Sequence, residues 1–201
     1  MALLFAKNNS LSAVTALPAS ISGGGLNLIS TQTASSSSTI DFTSGIDSTY
    51  KEYIFKFINI HPSADGSQFL FNLSADTGSN YNVTKTTTAF RSFHSEDDSA
   101  TGLGYYTGGD LAQSTDFQRF ADSLGNDNDQ SLSGTFTLFN PSSTTFVKHF
   151  IANVNYSYDA DYSLQYFLAG YGNTTSAVDA VQFKMNSGNI DAGTITLYGI
   201  N

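Results

Sequence analysis

The sequence predicts an all-β protein: an antiparallel, jelly-roll-like β-sandwich with an extended N-terminal arm. Three observations predict it. Apolar residues alternate with a period of two after residue 39, as in Tyr53, Phe55 and Phe57 against Glu52, Ile54 and Lys56. Clusters of Gly, Asn, Asp, Ser and Pro interrupt the alternation, as in His61-Pro62-Ser63-Ala64-Asp65-Gly66. β-branched and aromatic residues fill the runs between, with no regular strand–helix alternation.

Residues 1–38 read as the arm. Residues 1–40 hold one charge, Lys7, with Gly23-Gly24-Gly25 and Ser35-Ser36-Ser37-Ser38 as flexible punctuation. A solvated linker carries more charge. An uncharged segment with spaced apolar anchors, Leu3, Leu4, Leu26 and Ile29, suits docking on another surface; the plainer alternative is a terminus or an extra strand of its own domain. Residues 39–201 read as the sandwich. Strands are expected at Thr39–Phe42, Tyr50–Ile58, Gln68–Leu73, Tyr81–Phe93, Ser133–Phe139, Thr144–Asn153, Leu164–Gly170, Ala180–Asn186 and Gly193–Tyr198. That is about nine, a number that suits a jelly roll. One segment reads differently. Phe117, Phe120, Ala121 and Leu124 recur at helical spacing before Gly125, which predicts a helix or a helical turn within 110–125.

The composition excludes several functions. The 201 residues carry a net charge of -9, and charged residues are 12% of the chain, half the usual share of about 25%. Eight scattered cations make no basic face, so a nucleic-acid binder is excluded. Without Cys there is no disulfide framework and no Cys-based metal site. No apolar window reaches a membrane-spanning length. Lys7 follows the apolar run Met1–Ala6 instead of preceding it, which argues against a secretory signal and for a chain made and kept in a cytoplasm.

The search for chemistry finds no catalytic constellation, metal site or cofactor motif. His61, His94 and His149 are not paired at ligand spacing, and no nucleophile elbow accompanies His94 and its acidic neighbours. Glu96-Asp97-Asp98 and Asp127-Asn128-Asp129 offer too few oxygens for a Ca²⁺ loop and read as solvated turns. Asp116, Asp122, Asp159 and Asp161 are the acids from which a glycosidase pair would be drawn, but spacing places no two together. The run Gly102–Gly109 lacks the Gly-Lys-Ser/Thr ending of a phosphate loop and reads as a mobile surface loop. Its Tyr105 and Tyr106, with Tyr156 and Tyr158, are candidate ligand-contact residues, because Tyr among Gly, Ser and Asn contributes large area at little entropic cost. The alternative at each is a Tyr packed at the sandwich edge.

Three stretches carry a resemblance. They are Gly125-Asn126-Asp127-Asn128-Asp129 through Phe136-Thr137-Leu138-Phe139-Asn140-Pro141 to Phe150, Ile40-Asp41-Phe42-Thr43-Ser44-Gly45-Ile46-Asp47, and Phe183-Lys184-Met185 through Gly199. Over residues 39–201 the chain resembles structural proteins of tailed bacteriophages, particularly marine ones. The resemblance implies a non-enzymatic virion component and carries over no catalytic residue. Within that setting the expected role is a capsid decoration or cement protein, docked by its arm on the major capsid protein or other virion proteins and displayed as a homo-oligomer, a trimer being the guess. A tail or head fibre contacting a host glycan is the alternative inside the virion. A freestanding carbohydrate-binding module or glycosidase is the alternative outside it.

Overall fold

The computed structural model describes residues 25–200. Every regular element among them is a strand: β1 (Asn27–Thr33), β2 (Ile40–Phe42), β3 (Glu52–Pro62), β4 (Ser67–Ser74), β5 (Lys85–Ser95), β6 (Thr101–Tyr105), β7 (Gln118–Leu124), β8 (Leu132–Phe139), β9 (Lys148–Tyr158), β10 (Tyr162–Gly172), β11 (Ala180–Met185) and β12 (Ile190–Ile200). All pairings are antiparallel.

The strand order is that of a jelly roll with an extension. One sheet contains β1-β12-β3-β8 and the other β2-β11-β4-β7. The connections β1–β2, β2–β3, β3–β4, β7–β8 and β11–β12 each cross between the sheets, and the first strand lies beside the last. Two hairpins, β5–β6 and β9–β10, are inserted between the jelly-roll strands. They pair with each other through β5 and β10 and join the first sheet through β9 and β8, extending it to β1-β12-β3-β8-β9-β10-β5-β6. A single pairing, Leu124 opposite Tyr158, ties the two sheets along β7 and β9.

Alternation puts one face of each strand between the sheets, where phenylalanines from both meet. Phe71 of β4 lies 4.6 Å from Phe136 of β8 and 5.3 Å from Phe150 of β9, ring centre to ring centre. Phe57 of β3 meets Phe69 of β4 at 5.3 Å, and Phe55 meets Phe183 of β11 at 5.3 Å. Phe42 of β2 packs edge-on against Phe55 at 5.2 Å. Aromatic pairs of this kind contribute about 0.5–1.5 kcal/mol beyond the area they bury.

Three strands differ from the sequence expectation. Asn27–Thr33, read as part of the arm, forms β1 and pairs with β12. The expected helix within 110–125 is absent, and Gln118–Leu124 is instead strand β7 against β4. Register shifts opposite Phe69 and Leu70 insert extra backbone there, so Phe120, Ala121 and Leu124 are all buried in a strand. A bulged strand thus imitates helical spacing. The glycine-rich loop is also partly a strand, since Thr101–Tyr105 pairs with β5 as β6. Gly102 is needed there, because a Cβ would come within 2.6 Å of the Phe93 ring.

Replacing Phe136 by Ala should lower stability by about 3–5 kcal/mol, because a ring at the centre of the inter-sheet cluster leaves a cavity. Thr137→Ala, one residue along on the outer face, should cost less than about 1 kcal/mol. Urea unfolding followed by circular dichroism reads both.

Candidate functional site

The outer face of the large sheet is the most unusual surface of the molecule. Antiparallel strands in register align their outward side chains in lateral rows. One row runs Thr88, Ala169, Ile151, Thr137, Ile54, Tyr198, Leu28 across seven strands. The next runs Tyr105, Phe90, Phe167, Asn153, Thr135, Lys56, Thr196. Phe90 and Phe167 stack at 4.6 Å, and Lys56 lies 5.4 Å from the centre of the Tyr198 ring. Of the large apolar side chains exposed among the described residues, Leu28, Ile58, Phe90, Leu103, Tyr105 and Ile151 all belong to strands of this sheet. Leu26 and Phe146, the others, lie just before β1 and β9.

The same face is nearly free of acid. Of the seventeen Asp and Glu, only Glu52 and Asp191 fall within the eight strands of the large sheet. Most of the others occupy the connections. An acidic protein therefore keeps one face poor in acid. The signal for this lay in the sequence, since the acids cluster between the alternating runs and avoid them.

A polar node beneath this face fixes the inserted hairpins. Asp122 of β7 is buried, and both of its carboxylate oxygens accept two bonds. Arg91 Nη1 of β5 donates at 2.9 and 3.2 Å, the Tyr106 hydroxyl at 2.6 Å and the Tyr156 hydroxyl of β9 at 2.6 Å. The Arg91 guanidinium also lies 3.9 Å from the centre of the Tyr106 ring. Three donors making four hydrogen bonds to one carboxylate engage both of its oxygens within the protein. Burial, and then the neighbouring Asp122, push the hydroxyl of Tyr106 above the usual tyrosine range and that of Tyr156 well above it.

The candidate residues are scattered by this arrangement. Tyr156 lies in the core as an inward residue of β9, which removes it from the ligand-contact set. Tyr106 is half-buried in the node. Tyr158 is half-buried and stacks on Tyr162 at 5.7 Å. Tyr105 alone of the four is exposed; its hydroxyl donates to Asp110 at 2.5 Å, and its ring joins the outer face. Ile29, expected to dock on a partner, packs against the protein's own core because β1 is a jelly-roll strand. Leu26 is exposed beside β1, and Leu3 and Leu4 lie outside the described residues.

The remaining chemical candidates have local partners. His94 pairs with Asp98 at 3.0 Å on the surface. His61 Nε2 lies 3.2 Å from the Asp127 carbonyl, and His149 meets Tyr171 edge-on on the outer face. The Ser99 hydroxyl, and then the Ser99 amide that Asp97 accepts within its turn, hold the Asp97 carboxyl below the usual range. Asp159 is raised by burial and by Asp65 and Asp122. Among the described residues no group of three or more His, Asp or Glu converges as a metal-holding cluster. No helix among them is long and apolar enough to cross a membrane.

Sequence reasoning missed Lys85. Its side chain is fully buried, and Nζ donates to Asn72 Oδ1 at 2.5 Å and to the Val83 carbonyl at 2.9 Å. Neither acceptor is charged, so burial lowers its pKa to about 7. No protein-family model and no curated protein sequence matches the chain.

Two outcomes follow from these groups. Asp122→Ala strands Arg91 and two tyrosine hydroxyls and should cost about 2–4 kcal/mol; the partial exposure of Arg91 keeps this below the full cost of a buried pair. Its urea midpoint against wild type measures the loss. Lys85 binds its proton less readily folded than unfolded, so stability rises with pH from about 7 toward the unfolded value of 10.5, by at most about 1.4 kcal/mol per pH unit. Lys85→Met should flatten that rise in urea titrations from neutral pH to pH 9, a window below the titration of the raised tyrosines, leaving the part contributed by Lys148, whose pKa burial also lowers.

Proposed function

We propose that the chain is a non-enzymatic structural protein of a bacteriophage virion, acting as a capsid decoration or cement protein. The observation that carries the assembly role is the acid-poor outer face of the large sheet, whose strands expose Leu28, Phe90, Leu103, Tyr105 and Ile151. Exposed large apolar side chains on a surface depleted of acid are the composition of a protein–protein contact. The virion setting rests on the resemblance of residues 39–201 to structural proteins of tailed phages.

In this reading the arm contributes the contact to the capsid. Because β1 begins at Asn27, the arm available for docking is the segment before it, including Leu3 and Leu4, with exposed Leu26 at its root. The major capsid protein is the partner proposed for the arm, and the virion the proposed location.

A fibre role is the second reading. It is favoured by the strip Tyr105, Phe90, Phe167 and Asn153, where aromatic faces adjoin an amide, a pairing suited to a host glycan. Binding of the full chain to host cells, lost on Tyr105→Ala, would favour it over cement.

Deleting residues 1–24 leaves all twelve strands in place. The deleted chain should lose at least about tenfold in affinity for purified capsids in a co-sedimentation assay. Unchanged binding would remove the arm from the mechanism.

A further inference from the structure

We propose that the outer face of the large sheet is the interface between two copies of this chain. The partner is chosen by charge. Each copy carries a net charge of -9, and its acids crowd the connections. Two copies meeting through those connections would set carboxylates against carboxylates. The outer face is where copies approach with the least of that repulsion. A basic partner would be served by the opposite arrangement, with acids concentrated on the contact. Clearing acids from one face of an acidic protein fits a partner that is itself acidic, and a second copy is such a partner.

Shape supports the same choice. The pairings β8–β9, β9–β10, β10–β5 and β5–β6 run without a register shift, whereas β3 and β12 carry bulges. The half of the face that bears Ile151, Phe167, Phe90, Tyr105 and Leu103 is therefore regular. Regular sheet faces pack on one another about 10 Å apart. The same patch on both partners implies a two-fold axis.

This inference deepens the assembly reading by naming a partner, and it rests on that reading only for its biological setting. Light scattering coupled to gel filtration of the full chain, across a dilution series, tests it. The expected mass is twice 21.5 kDa. Phe90→Asp and Ile151→Asp, each at an exposed position, should weaken association at least about thirty-fold, the effect of losing one central contact residue. Ser79→Asp, on the β4–β5 connection, should leave it unchanged. Leu103→Lys serves as a further variant should an added acid unfold the chain, which circular dichroism reports. Added salt should preserve or strengthen the dimer by screening the repulsion between acidic copies. A monomer at every concentration, a trimer, or an oligomer indifferent to all three face substitutions would overturn the proposal. Loss of capsid binding by a chain that still dimerises would count against the virion role and leave the interface standing.

Discussion

The phenylalanine layer between the two sheets is the constraint on which the rest of the structure depends. Phe55, Phe57 and Phe136 from the large sheet interleave with Phe42, Phe69, Phe71, Phe120 and Phe183 from the small one. The chain has neither Cys nor Trp, so aromatic burial by Phe and Tyr takes the place of covalent staples. Every strand that contributes a ring inward must turn its alternate residues outward. The composition of the outer faces is therefore a separate choice, free of the demands of the core.

That separation is visible in the extended sheet. Its inward residues, Ala152, Val154 and Tyr156 of β9 and Leu164, Tyr166 and Leu168 of β10, are buried. The extension needs more than this packing to hold its angle. The Asp122 node supplies it by joining β5, β7, β9 and the segment after β6 through one carboxylate. Buried polar networks that are fully satisfied favour a single arrangement. Here the arrangement presents a regular, acid-poor face to the outside. Fold, node and surface form one chain of cause: the core sets alternation, the node sets orientation, and the placing of acids in the connections sets the charge of the face.

Much of the fold is legible in the residues because alternation is local. Tyr53, Phe55 and Phe57 announce β3, and the Asn140-Pro141-Ser142-Ser143 turn announces the end of β8. The three strands that escape have physical reasons. β1 is an edge strand of Asn, Ser, Thr and Gln with few apolar residues, so its pairing with β12 leaves little trace in its composition. β6 carries Gly102 and Gly104, which read as loop until the Phe93 ring is known to lie against one of them. β7 is bulged, and the extra backbone converts a period of two into an apparent helical one. The contact tyrosines divide for a related reason: Tyr156 and Tyr158 share a strand end, but one sits in the core and the other at the rim.

The amino-acid sequence by itself determined the all-β class, most of the strands, and the uneven distribution of charge. Each is a property of neighbours along the chain. Only the tertiary structure decided that eight strands form one sheet, and that their outward residues join into a face. Rows such as Ile151, Thr137 and Ile54 bring together residues far apart in sequence. Their proximity depends on which strands pair and in what register. The same holds for Asp122, whose partners come from three other segments. Periodicity marks which side of a strand is apolar, but long-range pairing decides what that side adjoins.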